Sequence, residues 1–177
     1  VQDGNVRASF DPAAREKDEK ALEELAREVK PYGTLFYSLG DENNYTVHDD
    51  MKPAELAAYR EHLKGEYRGD VGALNRAWGT SYAAFDAVEA APGGVNSISP
   101  KYDLKTFWER AYAETHHRKR DAIRRGDPTA LVGAEGSAFG DLEYTISKLD
   151  WFAPYEDRMG NALLRFWVAP ASLRGNW

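Results

Sequence analysis

The fold of this chain is most constrained by a repeated order of segments, in which an amphipathic helix precedes a short apolar run that ends at a polar cluster. The first unit has a helix predicted over residues 14–30 and an apolar run over residues 34–39. The second has a long helix, predicted to be capped by Asp103 and to end at Gly126, and a short run over residues 130–134. Strands that alternate with amphipathic helices are typical of right-handed β-α-β units. We therefore predict an α/β fold with a parallel sheet.

Two further helices have clear start and stop signals. One is predicted over residues 53–67, because a proline opens it and proline is favoured in the first helical turn. The other is predicted over residues 71–78, with Asp70 as its N-cap and Gly79 at its end. Trp78 is expected to be a buried structural anchor. The remaining predicted elements are a surface loop over residues 80–100, a short helix over residues 142–148 and a third strand over residues 150–155.

The length of the chain limits how much of a closed barrel it can form. The chain has 177 residues, whereas a complete eight-fold β/α barrel needs about 250 residues. The patterns predict three strands, and a closed barrel has eight. The chain is therefore either a small open sheet or part of a barrel.

Composition narrows the classes of partner and chemistry. The 23 basic and 29 acidic residues give a net charge of -6, which argues against a nucleic-acid partner. No apolar run approaches the roughly 18 to 20 residues that cross a bilayer, so no membrane partner is expected. Cysteine is absent, which removes disulfides, thiolate metal sites and cysteine nucleophiles. The compartment remains open.

Acidic side chains at strand ends are the first candidates for chemistry, because functional groups of parallel α/β folds gather at the carboxyl ends of strands. Glu42 is the leading candidate. Asp41 precedes it, and neighbours in an extended segment point to opposite faces, so a second carboxylate has to come from another strand. The candidates are Glu135, Glu156 and Asp157. The alternative interpretation is that these acids are solvated loop charges or helix N-caps.

The histidines do not predict a metal site. His116 and His117 are adjacent on a helix, so their side chains diverge by about 100° and cannot chelate as an i, i+4 pair would. His48 and the two aspartates after it lack the spacing of a calcium loop and are interpreted as a polar loop. The basic run between residues 116 and 125 is expected to form a solvated outer helix face.

Aromatic side chains near the predicted strand ends are compatible with carbohydrate binding. Sugar rings stack on flat aromatic faces while their hydroxyl groups bond to Asp, Glu and Asn side chains. Tyr37 and Phe152 lie inside predicted strands and are expected to belong to the core instead. The aromatic residues in question are Tyr37, Tyr45, Trp151, Phe152 and Tyr155.

Two short segments carry a more specific signal. Residues 39–43 read Leu-Gly-Asp-Glu-Asn, and residues 74–80 read Leu-Asn-Arg-Ala-Trp-Gly-Thr. In this order, the segments resemble the β-galactosidases of glycoside hydrolase family 42 and their relatives among the retaining barrel glycosidases. The similarity extends more weakly through residues 127–128 and 149–155. The resemblance implies part of a (β/α)8 TIM barrel, about strands four to six with their helices, with residues 1–177 as a single partial catalytic domain.

The resemblance also implies a role for Glu42. It would be the general acid/base that protonates the glycosidic oxygen and then deprotonates the attacking water. The implied partners are a carbohydrate substrate and the remainder of the barrel, and no cofactor or metal is implied. The residues expected to bind substrate are Asp41, Asn43, Glu135 and Tyr155.

The chain departs from the family pattern in two places. Relatives usually carry asparagine before the acid/base, where this chain has Asp41, and many carry a zinc-binding cysteine cluster that a chain without cysteine cannot form. By resemblance, the nucleophile is a glutamate at the end of the seventh strand and is expected beyond Trp177. We therefore expect residues 1–177 alone to be unstable and inactive.

Two other functions remain open at this point. The chain could be a carbohydrate-binding barrel relative that has lost catalysis, which the aspartate at position 41 makes credible. It could also be an α/β scaffold or interaction domain whose acidic loops are solvated. Binding of sugar without turnover would identify the first, and no binding of any sugar would identify the second.

Overall fold

A computed structural model describes residues 6–136, 140–154 and 173–174 of the chain. The chain divides into two compact units. The first comprises Val1–Tyr45 and Glu109–Trp177, and the second comprises Thr46–Trp108. The helices are α1 (Pro12–Val29), α2 (Pro53–Glu66), α3 (Val71–Trp78), α4 (Ser99–Gly126) and α5 (Leu142–Ile146).

The first unit contains a parallel sheet, which confirms the predicted α/β class. Each strand pairs in parallel with the next one along the chain, so the order in the sheet is the order in the sequence. Parallel neighbours of this kind require the connecting segments to cross from one end of the sheet to the other. The strands are β1 (Tyr37–Asp41), β2 (Val132–Gly136), β3 (Trp151–Pro154) and β4 (Leu173–Arg174).

Helices cover one face of this sheet. Tyr37 and Leu39 of β1 pack against a cluster formed by α1, α4 and β2, and Leu39 also packs against a second cluster near α5. Phe152 is buried as predicted, and Tyr37 is half-buried with its hydroxyl donating to Asp127 at 3.1 Å. The cluster members are Ala26, Ile123, Ala130 and Val132 in the first and Ala134, Ile146, Leu149 and Phe152 in the second.

The apolar run before β1 enters the sheet later than predicted. The first ladder bond is donated by the Tyr37 amide to the Leu131 carbonyl at 2.8 Å, so β1 begins at Tyr37 and extends through Asp41. Leu35 and Phe36 precede the strand and are 75% and 51% exposed. Register with β2, which local propensity does not encode, decides where the strand begins.

The basic part of α4 is less solvated than predicted. Arg125 forms ion pairs with Glu19 and Glu23 of α1, each at 3.1 Å. Arg124 binds Asp150 at 2.5 Å, and the Asp150 carboxylate also accepts the Val132 amide. The predicted solvated face is therefore paired with acidic residues of α1 and of the segment before β3, and its first two residues, His116 and His117, are buried.

In the second unit, Trp78 is fully buried, as expected of an anchor. Its indole Nε1 donates to Oδ2 of Asp103 at 2.8 Å, and the Tyr67 hydroxyl donates to the same oxygen at 2.7 Å. The prediction that Asp103 caps α4 is therefore wrong, since its carboxylate serves side chains distant in sequence while α4 begins at Ser99.

The predicted surface loop of the second unit is packed as well. It contains a 3-10 turn at Phe85–Ala87, and Val88 directly after it is fully buried. Arg60 on α2 donates through Nε to the Val88 carbonyl at 2.9 Å, which fixes the segment. Within the described residues, no helix combines the length and apolarity that a bilayer crossing requires.

Candidate functional site

A polar side chain near the start of β1 meets one near the carboxyl end of β2. Ser38 lies between Tyr37 and Leu39, which pack against the helices, so the Ser38 side chain points to the other face of the sheet. The Ser38 hydroxyl donates to Oε1 of Glu135 at 2.8 Å. We call the face that carries Ser38 and Glu135 the open face of the sheet. Its serine holds the glutamate carboxylate in one orientation.

Asp41 comes level with Glu135 through an irregularity in strand pairing. Ser38 pairs with Gly133. Three residues further along β1, Asp41 pairs with Glu135, which is only two residues beyond Gly133 on β2. The extra residue on β1 forms a bulge, a device that re-aims side chains at strand ends. Gly40 adopts a φ of 127° there, in a region that side chains rarely adopt.

Glu42 follows β1 directly and has an unusual backbone conformation. Its φ of 50° lies in the left-handed region, which glycine favours and glutamate rarely adopts. The Glu42 amide donates to the carbonyl of Glu135 at 3.2 Å, and its side chain is exposed. Strained backbone of this kind clusters at functional sites. An exposed carboxylate therefore projects from a backbone that is bonded to the neighbouring strand.

Asn43 is buried and makes its contacts within the fold. Its side chain is 5% exposed, and its Nδ2 donates to the Leu39 carbonyl at 3.2 Å. The Asn43 carbonyl accepts the hydroxyl of Tyr112 on α4 at 2.9 Å. Burial raises the pKa of Tyr112 to about 12, so this hydroxyl remains a donor. The asparagine thus closes the turn that carries Glu42.

Tyr45 attaches the end of this turn to α4. Its hydroxyl donates to Oε1 of Glu109 at 2.9 Å, and its ring lies 5.5 Å from the Tyr112 ring. Burial, and then the Glu109 carboxylate, raise the pKa of Tyr45 far above its usual value. Two tyrosine hydroxyls and one strand therefore fix the backbone on both sides of Glu42.

Each of the two adjacent histidines is hydrogen-bonded to a backbone carbonyl. His116 Nδ1 lies 3.0 Å from the Tyr112 carbonyl, and His117 Nε2 lies 2.9 Å from the Thr145 carbonyl. Burial lowers the pKa of His116 to about 4 and also lowers that of His117. Both rings therefore donate to backbone as neutral imidazoles near neutral pH. Among the described residues, no His, Asp and Glu side chains group in a way that could hold a metal ion.

The remaining predicted site residues are only partly placed. Tyr155, Glu156 and Asp157 lie outside the described residues. Trp151 is 7% exposed and its ring contacts that of Phe36 edge-on, with centroids 5.2 Å apart. Of the predicted substrate-binding residues, the structure therefore brings Asp41 and Glu135 to the Glu42 turn and places Asn43 beneath it.

Sequence reasoning missed the groups that hold this turn. Ser38 stood between two apolar residues of the predicted strand, and alternation alone could have placed it on the opposite face. Glu109 and Tyr112 carried no such signal, because both lie in a long helix whose contacts with the turn depend on the tertiary fold.

Solved structures with the same fold include two β-galactosidases and an agarase. The β-galactosidase of Bacillus circulans sp. alkalophilus matches with a TM-score of 0.70 and 20% identity, over 84% of this chain and 24% of that chain. The β-galactosidase of the psychrophilic Marinomonas ef1 matches with a TM-score of 0.65 and 22% identity, over 86% and 25%. The agarase matches with a TM-score of 0.67 and 16% identity, over 89% and 26%. The chain thus spans about a quarter of these proteins, and its sheet and helices form part of a (β/α)8 barrel.

Sequence comparison identifies the family. No curated protein sequence matches the chain. The model of glycoside hydrolase family 42, described as β-galactosidase, matches residues 8–154 and so includes β1, β2 and the Glu42 turn. This match covers most of the chain, and the chain belongs to glycoside hydrolase family 42.

Proposed function

We propose that the protein is a retaining hydrolase of β-galactosides or related glycosides, with Glu42 as its general acid/base. The observation that carries the proposal is the backbone of Glu42, which has a φ of 50° and an amide bound to the Glu135 carbonyl. That geometry holds an exposed carboxylate at the carboxyl end of a parallel strand, where barrel enzymes place catalytic groups. Membership of a glycosidase family supports this assignment.

The proposed chemistry has two proton transfers at Glu42. In the first step, a second carboxylate attacks the anomeric carbon and forms an ester with it, while the bond from that carbon to the glycosidic oxygen breaks. The Glu42 carboxylic acid gives its proton to the departing oxygen, so the aglycone leaves as an alcohol. In the second step, the Glu42 carboxylate takes a proton from water, which displaces that ester and releases the sugar. The second carboxylate is assigned to a part of the barrel outside the described residues.

The carboxylates beside Glu42 are proposed to bind the sugar. Asp41 and Glu135 pair across β1 and β2, and an ionised carboxylate can only accept hydrogen bonds, so both would bind sugar hydroxyl groups as acceptors. Asn43, which is buried, supports the turn that carries Glu42 and does not reach the sugar itself. Tyr155 is proposed as a further contact with the sugar. We also propose that residues 1–177 belong to one catalytic barrel domain, which is completed by the rest of the barrel.

The experiment that tests the proposal replaces Glu42 by Gln in the whole protein. Aryl β-galactosides with poor leaving groups should lose about 100-fold to 10,000-fold in turnover, whereas activated aryl galactosides should lose far less in the first step. Azide should rescue the second step of Glu42→Ala. The matched control is Glu61→Gln, since Glu61 is an exposed carboxylate on α2. An equal loss on both classes of substrate would remove Glu42 from the acid/base role.

A non-catalytic sugar-binding relative is the second candidate, and Asp41 is the observation that favours it. The carboxylate of Asp41 replaces the amide expected before the acid/base and adds negative charge beside Glu42. Titration calorimetry of the whole protein with galactose, mannose and glucose oligosaccharides distinguishes the cases. Heat of binding without turnover would identify a binding module, and no heat with any sugar would identify a scaffold.

A further inference from the structure

We infer that Gly136 is a positioning residue for Glu42, because the side chain that is absent at the end of β2 leaves the space in which the turn at Asp41 and Glu42 fits. The inference rests on the acid/base role proposed above for Glu42. Gly136 would touch no reacting atom and would act on Glu42 only through the backbone of the turn.

The space at Gly136 is narrow. A Cβ at this position would lie 2.4 Å from Oδ1 of Asp41, 2.5 Å from the backbone nitrogen of Glu42 and 3.1 Å from the Glu42 Cα. Contacts between non-bonded heavy atoms are favourable near 3.5 to 4.0 Å, so the first two distances are collisions and the third is a tight contact. Two consecutive residues of the turn therefore lie where any side chain at position 136 would begin.

The two collisions differ in how they can be relieved. The Asp41 carboxylate is the end of a side chain and can rotate away. The Glu42 nitrogen belongs to the backbone and donates to the Glu135 carbonyl at 3.2 Å, so it can move only if that hydrogen bond is weakened. Because Glu42 already has a φ of 50°, its backbone has few alternative conformations nearby. A side chain at position 136 would therefore displace the residue that carries the acid.

Displacement of the Glu42 backbone should affect proton transfer more than binding. A general acid works only within hydrogen-bond reach of the leaving-group oxygen, and a misplacement of about 1 Å can cost about 100-fold in rate. Rotation of the Asp41 carboxylate would also weaken the sugar contact proposed for that residue, so a smaller effect on binding is expected beside the loss of proton transfer. The expected effect is a weaker version of the loss caused by removing the acid itself.

The test is Gly136→Ala in the whole protein, with kcat and KM measured on aryl β-galactosides of graded leaving-group ability. We expect kcat on the poorest leaving group to fall about tenfold or more, with a much smaller loss on the activated substrate and a smaller rise in KM from the displaced Asp41 carboxylate. The matched control is Gly94→Ala. Gly94 has a φ of 71° with no atom within 4 Å of its added Cβ, so it carries the backbone strain without the collision.

Each outcome has a defined meaning. Unchanged kcat, or an equal loss on all leaving groups, would overturn the inference. If Gly136→Ala does not fold, Gly136→Asn carries the same Cβ with less strain at positive φ and is measured instead. Failure of both to fold while Gly94→Ala folds would assign Gly136 a purely structural role and also overturn the inference. The proposed function is judged separately by Glu42→Gln, whose leaving-group dependence does not involve Gly136.

Discussion

Two residues of this chain adopt nearly the same rare conformation for different reasons. Among the described residues, Glu42 and Arg68 are the non-glycine residues with positive φ, at 50° and 52°. Arg68 follows the end of α2, where the Arg68 amide donates to the Gly65 carbonyl and the Gly69 amide donates to the Lys64 carbonyl. These two bonds form a Schellman motif, in which a left-handed residue is the usual way to end a helix.

No helix end accounts for Glu42. Its conformation follows a strand, and the bond that holds it comes from the neighbouring strand through the Glu135 carbonyl. At Arg68, neighbouring residues of the same helix supply the backbone hydrogen bonds. At Glu42, the hydrogen bond comes from a segment distant in the sequence. A positive φ therefore indicates function only where local hydrogen bonds do not already explain it.

Carboxylates of the two compact units also differ in their surroundings. Asp103 accepts two hydrogen bonds from Trp78 and Tyr67, and so its Oδ2 is committed to holding the second unit together. Asp41 and Glu42 of the first unit are exposed. A half-buried carboxylate with two side-chain donors indicates a structural role, whereas an exposed carboxylate on a constrained turn can be reached by a substrate.

The largest expected effect on stability comes from Trp78, which donates to the Asp103 carboxylate. Trp78→Ala should lower the free energy of unfolding by about 3 to 5 kcal/mol, because it leaves a cavity and removes the indole donor from Asp103. Urea and thermal unfolding measure the change, with Tyr102→Ala as a control because the Tyr102 ring is 66% exposed. If Trp78→Ala keeps its stability and loses sugar binding instead, Trp78 is a sugar platform and the comparison fails.

The elements whose ends are signalled locally were predictable from sequence. Proline opens α2, and α3 lies between its N-cap Asp70 and Gly79 as predicted. The start of α4 was predicted at the wrong residue. The Asp103 carboxylate, the predicted cap, accepts hydrogen bonds from Trp78 and Tyr67, which lie 25 and 36 residues away in the sequence. A capping residue competes with every partner that the tertiary fold supplies.

The candidate site was predictable in its location and not in its geometry. The rule that functional groups gather at the carboxyl ends of parallel strands pointed to Asp41, Glu42 and Glu135. Their arrangement depends on the bulge between Ser38 and Asp41, which exists only in the pairing of β1 with β2. Strand register is a property of two segments at once, and no pattern within either segment encodes it.

A smaller effect separates the two left-handed residues directly. Replacing either Glu42 or Arg68 by glycine relieves about 1 to 2 kcal/mol of strain and increases the entropy of the unfolded chain, so each variant should gain about 0.5 to 1 kcal/mol of stability at most. Glu42→Gly should lose turnover while Arg68→Gly keeps it. Unfolding curves and aryl galactoside assays of the whole protein measure both quantities. Loss of turnover in both variants would mean that replacing a left-handed residue by glycine is enough to abolish turnover, so the loss at position 42 would no longer identify its carboxylate.

The smallest expected effect on catalysis lies at Ser38, which holds the Glu135 carboxylate on the open face. Ser38→Ala removes the 2.8 Å hydrogen bond to Glu135, so Glu135 should sample several orientations and bind the sugar less well. The Gly40 amide also loses the 3.1 Å bond that it donates to this hydroxyl, and water can replace that bond because the group is exposed. We expect KM to rise about threefold to tenfold with kcat nearly unchanged, since Glu135 is assigned to binding and not to proton transfer. Ser147→Ala is the matched control, because that exposed hydroxyl donates to the Tyr144 carbonyl within its own helical turn. A fall in kcat at constant KM would instead place Glu135 in the chemical step, and it would then become the candidate for the second catalytic carboxylate.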